Sequence, residues 1–213
     1  MNYQRSTGGA DSQQRASQHS ARGFLSGGDE RRMAASTPHP LEQRIITLLL
    51  GVTPDHPVPS LLHLEKEIFL LTRVFKLLGD EIKFEPSETG PRSQVIREII
   101  RKPRAFARFY GDKEGIRLTD FGEDIYDEII EDLRTNPDFQ DIKSVFKMTR
   151  ILYDDMTEQQ LLLLMYDSYR DFAIKSTEYE KIIKEKEKLS LELLKKNKIT
   201  RERCEELARL DGA

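Results

Sequence analysis

The chain has 213 residues, 38% hydrophobic and 33% charged, and a formal net charge of −3. That is the composition of a helix-rich globular protein whose overall balance points neither to nucleic acid nor to an acidic substrate, so any electrostatic argument must come from local clustering. Its single cysteine, Cys204, excludes an intramolecular disulfide and a cysteine-based zinc site. No apolar run approaches the roughly 18 residues of a membrane span, and the Met1 end lacks the apolar core of a signal peptide, so the expected compartment is the cytoplasm.

Residues 1–38 are rich in Gly, Ser, Gln, Arg and Ala, with few large apolar side chains. Such a segment cannot bury enough surface to offset its ordering entropy, and it reads as a disordered leader or as a basic arm carrying Arg5, Arg15, Arg22, Arg31 and Arg32. From Pro40 the character changes. LEQRIITLLLG places Leu41, Ile45, Ile46, Leu48 and Leu49 on one side of a short helix that Gly51 can terminate. Pro54, Pro57 and Pro59 forbid helix interior, and Ser60 then offers a cap to a long helical stripe of Leu61, Leu64, Ile68, Leu71, Phe75 and Leu78.

FEPSETGPRS is a second break, with Gly90-Pro91 forcing a turn and Ser93 placed to cap SQVIREIIRK, a basic helix ended by Pro103. Two strand-like segments, Phe106 to Tyr110 and Ile116 to Leu118, flank Gly111-Asp112-Lys113-Glu114-Gly115, and Thr119 can cap the helix that follows. Helix, helix, turn, capped basic helix, hairpin, helix is the order of a winged helix.

Downstream, the segment from Asp138 to Ser176 reads as one or two further helices, with Thr157 and Gln160 spaced as a capping box before LLLLMY. A run that apolar is either central to a core or lies at an interface, which makes Leu161, Leu164 and Met165 candidate dimer or partner contacts. Beyond Ser176 an amphipathic, highly charged helix carries Ile183, Leu189 and Leu193 toward the body or a partner, with Lys186 interrupting its seam. Thr200 can cap a last helix, too short to be stable by itself, so residues 197–213 are expected to be removable without unfolding the body.

Catalytic motifs are sparse. There is no Gly-rich phosphate loop, no His-Glu-x-x-His pair and no Gly-x-Ser-x-Gly elbow, and His63-Leu64-Glu65 lacks the paired cysteines that would complete a deaminase-like zinc site. Neither cofactor nor metal nor enzymatic activity is expected. The positive signal is local charge. Between Pro91 and Leu118 eight cations face three acids, whereas between Thr119 and Asp141 one cation faces nine acids. The basic block coincides with the third helix and wing, the parts a winged helix presents to DNA, and Arg92, Ser93, Arg97, Arg101, Lys102, Lys113 and Arg117 are the candidate DNA-binding residues. The alternative is that these arginines pair internally with the acidic helix beside them.

PVPSLLHLEKEIFLLTRVF, FEPSETGPRS and LTDFG together resemble the Panacea antitoxin-like proteins, on Leu64, Lys66, Phe69, Leu70, Gly90, Pro91 and Ser93. The tail resembles small degenerate helix-turn-helix antitoxin-like proteins on Lys196, Lys198, Ile199, Thr200, Leu207 and Ala208. The chain departs from the Panacea pattern at Ser87-Glu88-Thr89, where an aromatic residue commonly precedes Gly-Pro, and the tail ends before a second helix. The resemblance implies non-enzymatic regulation, through DNA or through a toxin-like protein partner.

The sequence therefore predicts a mainly α protein: a leader over 1–38, a winged-helix-like domain with a small β-hairpin wing over 39–136, and a helical extension over 137–213 with an incomplete helix-turn-helix-like end. Its expected function is that of an antitoxin or transcription regulator binding DNA, as a homodimer. The alternative is a protein-interaction module that does not bind DNA.

Overall fold

The computed structural model describes residues 39–102, 110–112 and 114–209. The expected leader, Phe106 to Phe109 of the expected hairpin and Lys113 at its tip lie outside the described residues.

Over the described residues the chain is mainly helical, with two small antiparallel hairpins. In order it forms α1 (Leu41–Gly51), α2 (Leu61–Val74), α3 (Lys76–Glu81), β1 (Glu85–Ser87), β2 (Gly90–Arg92), α4 (Gln94–Arg101), β3 (Tyr110–Asp112), β4 (Ile116–Leu118) and α5 (Asp120–Leu133). Then follow α6 (Phe139–Tyr153), α7 (Glu158–Ser168), a 3-10 turn (Arg170–Phe172), α8 (Tyr179–Lys184), α9 (Lys186–Lys195) and α10 (Arg201–Ala208). Among the described residues no helix is long and apolar enough to cross a membrane.

Local chemistry sets the helix starts. Ser60, Thr119 and Thr200 each accept a hydrogen bond from a backbone N–H three residues on, which satisfies a donor the helix itself leaves orphaned. Thr157 and Gln160 form the full reciprocal capping box, at 3.2 and 3.1 Å. Asp120 and Glu123 add negative charge to the first turn of α5, where the helix dipole favours it. Ser93 departs from expectation: it precedes α4 but makes no side-chain cap.

The long stripe expected from Leu61 to Leu78 is broken. Phe75 adopts an extended conformation (φ −103°, ψ 97°) between α2 and α3, and its buried ring packs against Phe146 at 6.1 Å. FEPSETGPRS, read as a break, is the β1–β2 hairpin, in register Ser87 to Gly90 and Glu85 to Arg92. Gly90 needs to be glycine: its φ is +80°, and a Cβ there would lie 3.3 Å from Leu162 and Tyr166.

The wing is present as the β3–β4 pair, Tyr110 opposite Leu118 and Asp112 opposite Ile116. A third segment joins it, since Val58 exchanges both backbone hydrogen bonds with Ile116 at 2.8 Å. Gly115 (φ +132°) permits this approach, because a Cβ there would fall 2.6 Å from the Val58 carbonyl oxygen. Helix α1, the Val58 bridge, α2, α4 and the β3–β4 pair reproduce the winged-helix order, with α3 and the β1–β2 hairpin inserted before the third helix.

The packing does not divide at residue 136. Phe139, Ile142 and Phe146 of α6 belong to the same buried cluster as Ile45 and Leu49 of α1, Ile68 of α2, Ile96 of α4 and Ile129 of α5. A second cluster joins Leu162, Leu163 and Tyr166 of α7 to Ile182, Leu189, Leu193 and Leu207, and a third packs Leu161 and Met165 against Phe69 of α2. The expected partner contacts are thus taken up inside the chain: Leu161, Met165, Leu189 and Leu193 are buried, while Leu164 and Ile183 are half-buried. Helix α7 looked like an interface because its apolar residues surround it; they do so because it sits between two packed layers.

The tail is docked as well. Asn197 takes a left-handed conformation (φ 57°) that folds α10 back on α9. Lys198 pairs with Asp155 at 2.7 Å and donates to the Ile151 carbonyl at 2.8 Å, Lys196 donates to the Asp155 carbonyl at 2.5 Å, and Arg203 pairs with Asp167. Cations on the α9–α10 hairpin thereby meet backbone carbonyls at and just beyond the end of α6, the pole that attracts positive charge.

Candidate nucleic-acid interface

Helix α4 turns Ile96, Ile99 and Ile100 into the core. Its opposite face shows Gln94, Val95, Glu98, Arg101 and, just past its end, Lys102 to solvent. On β4 the alternation of a strand buries Ile116 and Leu118 and leaves Arg117 exposed. Arg101, Lys102 and Arg117 form no ion pair or side-chain hydrogen bond with any described residue, and Arg92 donates only to Gln94 Oε1, at 3.2 Å. Gln94 in turn donates to Glu98 at 2.9 Å, so a short polar chain runs along the outer face of α4.

Two of the seven candidate residues are not on this surface. Arg97 points toward α2, where Nε and Nη2 each donate to Glu65 at 2.8 Å. Glu65 has no exposure, so its charge requires that partner, and the arginine is held by the fold instead of offered to phosphate. Ser93 is buried and its hydroxyl finds no hydrogen-bond partner among the described residues. Lys113 lies outside the described residues.

The acidic helix does not neutralise the basic one among the described residues. On α5, Asp132 pairs with Arg44 of α1 and Glu131 with Arg134, and neither pair reaches α4 or the wing. Asp120, Glu123, Asp124, Asp127 and Glu128 remain exposed.

Buried charge behind this surface is what sequence reasoning missed. Lys66 on α2 has no exposure and donates to the Pro91 carbonyl at 2.6 Å, fastening β2 just ahead of α4. Burial lowers its pKa to about 8, partly offset by Glu65 and reinforced by Arg97. The hairpin is tied from the other side too: Ser176 Oγ, 2.5 Å from the Tyr166 hydroxyl, donates to the Glu88 carbonyl at 2.9 Å, and Thr177 N donates to the same oxygen at 3.1 Å. Lys66, Phe69, Gly90 and Pro91 therefore belong to the α2–hairpin–α7 packing that presents α4.

Deeper in, Arg150 of α6 is wholly buried, donating to the Leu49 carbonyl at 2.9 Å, to the His56 carbonyl and to Asp154, with Glu67 at 3.5 Å. Burial pushes the Glu67 carboxyl well above the ordinary range, and the nearby Asp154 charge pushes the same way against the pull of Arg150. Its oxygens have no hydrogen-bond partner meeting ordinary geometry among the described residues. His63 is an interior residue whose Nε2–H donates to the Met156 carbonyl at 2.9 Å. A signal for these residues existed, in that Glu65, Lys66 and Glu67 interrupt an otherwise apolar helix, but charge runs usually mark a solvated face.

No protein-family model, no curated protein and no solved structure matches this chain.

Proposed function

We propose that this protein is a non-enzymatic regulator that binds duplex DNA through the outer face of α4 and the wing, with Arg101, Lys102 and Arg117 meeting backbone phosphates and Arg92 at the rim. The observation that carries the reading is the set of exposed cations on α4 and β4 without ion pairs among the described residues, beside an acidic helix that pairs elsewhere. Phosphate neutralisation by such cations supplies most of nonspecific affinity, and a helix set in winged-helix order can enter a major groove. Gln94, Glu98 and Arg101 are side chains of the types that read base edges.

Fluorescence anisotropy with a labelled duplex and the matching single strand tests this. Wild type is expected to prefer the duplex, and Arg101→Ala/Lys102→Ala to lose that binding with unchanged thermal stability. No duplex binding by wild type at about 50 mM salt, where phosphate contacts are strong, would reject the reading.

A second reading, a protein-interaction module of antitoxin type, is favoured by one observation. Met148, Ile151 and Leu152 on α6 are 58%, 58% and 39% exposed at positions i, i+3 and i+4, a helical apolar face open to solvent. Loss of self-association or partner binding in Met148→Ser/Ile151→Ser, with DNA affinity intact, would support it.

A further inference from the structure

The C-terminal end of α2, about 12 Å along the helix axis from Glu65 at 1.5 Å per residue, carries an arrangement that includes no residue of the α4 surface. Phe69 is wholly buried and meets three other rings edge-on: Phe84 at 5.3 Å, Tyr169 at 4.9 Å and Phe172 at 4.9 Å between centroids. One turn further along α2, the Arg73 guanidinium lies 4.5 Å from the Phe69 centroid, 5.6 Å from Tyr169 and 5.7 Å from Phe172. Arg73 is an exposed residue, yet it makes no hydrogen bond or ion pair with any described residue.

An exposed arginine without a partner ordinarily samples many rotamers. Three π-systems within about 6 Å hold this one by cation–π attraction, which leaves its five N–H donors unused. A guanidinium ordered in that way has already given up much of the freedom that binding would otherwise cost it, and its fork geometry matches a carboxylate or phosphate bidentately. Lys76, three residues further along the chain, and Arg170, between Tyr169 and Phe172 in sequence, are exposed and also without ion pairs among the described residues. The acids adjacent in sequence or on the facing strand, Asp171 and Glu85, do not pair with Arg73. Two large apolar side chains flank these residues in sequence, Val74 at 48% and Ile174 at 80% exposure. A phosphate backbone has no use for exposed apolar side chains, whereas a peptide carboxylate beside an aliphatic residue uses both. Arginine and aromatic rings next to apolar surface is also the composition of interface hot spots.

We propose that Arg73, seated on Phe69, Tyr169 and Phe172, is the recognition arginine of a docking site for an acidic, apolar peptide segment of a protein partner. The site is independent of the DNA reading: it uses no residue of α4 or the wing.

The test is an NMR titration of the full-length protein, 15N-labelled at arginine, following the Nε–H resonance of Arg73, identified by its absence in Arg73→Lys. The probes are acetyl-Asp-Leu-Glu-Leu-amide, acetyl-Lys-Leu-Lys-Leu-amide and inorganic phosphate. The acidic peptide is expected to shift the resonance saturably with a Kd of about 1 mM or tighter, the basic peptide and phosphate not to saturate, and Arg73→Lys, followed like wild type by backbone amide shifts of uniformly 15N-labelled protein, to bind at least about tenfold more weakly because it keeps the charge but not the planar fork. Absence of saturation by the acidic peptide in wild type would overturn the proposal, leaving Arg73 as a cover over Phe69. So would saturation by phosphate at equal affinity, or undiminished binding by a folded Arg73→Lys protein.

Discussion

Glu65 and Arg97 are joined by two parallel hydrogen bonds of 2.8 Å, and the carboxylate has no solvent exposure. The pair ties the inner face of α4 to α2 and fixes which side of α4 faces outward. Removing one partner of a buried pair typically costs about 3–5 kcal/mol, because the other charge is stranded. Arg97→Ala is therefore expected to lower the urea midpoint strongly, and Glu65→Leu/Arg97→Met to recover part of the loss. An unchanged midpoint in Arg97→Ala would show that the pair is not held in solution.

Lys66 makes stability depend on alkaline pH. Its pKa falls from 10.5 to about 8 on folding, chiefly through burial. Below about 8 the lysine is charged in both states and the folded protein bears the full cost of burying that charge. Between about 8 and 10.5 the native state has released the proton while the unfolded state retains it, so stability from this group rises with pH. The melting temperature of wild type minus that of Lys66→Met should climb through that window; parallel curves would contradict the assignment.

Glu67 acts with the opposite sign. Its folded pKa is raised by burial and by Asp154, so at acid pH it is neutral in both states, and as pH rises past the unfolded carboxyl value the native state keeps a proton the unfolded state loses. Stability from this group falls with rising pH. Glu67→Gln, neutral and nearly isosteric, is expected to raise the melting temperature at neutral pH, with the gain vanishing toward pH values of about 4 where ordinary carboxyls protonate. A lower melting temperature for Glu67→Gln at neutral pH would mean that Arg150 depends on the Glu67 charge.

Leu207 has no exposure and lies in the cluster containing Leu189 and Leu193, which makes the tail part of the body. Leu207→Ala is expected to cost about 2–5 kcal/mol in urea unfolding, the range for emptying a well-packed leucine site, without changing DNA affinity. A cost below about 1 kcal/mol would mean the site collapses freely or that α10 frays.

How much of this could be read from the sequence follows from which interactions are local. Caps are short-range, so Ser60, Thr119, Thr157 with Gln160, and Thr200 were legible where they stand. Apolar periodicity located α1, α2, α4 and α5 for the same reason. What was hidden is set by contacts distant in sequence. Glu65 reads as an ordinary surface acid until Arg97, 32 residues on, is brought against it. The Leu161–Met165 run reads equally as interface or interior until Phe69 and Leu207 are seen on its two sides. The break at Phe75 and the hairpin from Glu85 to Arg92 leave no periodic trace, because three-residue strands are too short to show alternation.

The salt dependence of duplex binding shows whether α4 and the wing present to DNA the cations that have no ion pairs among the described residues. Log affinity should fall linearly with log salt in wild type. Each phosphate that a removed cation no longer neutralises should shrink the slope by about 0.9, so Arg101→Ala/Lys102→Ala/Arg117→Ala should shrink it by roughly two to three. A triple variant that stays folded and keeps the wild-type affinity and slope would contradict the DNA reading.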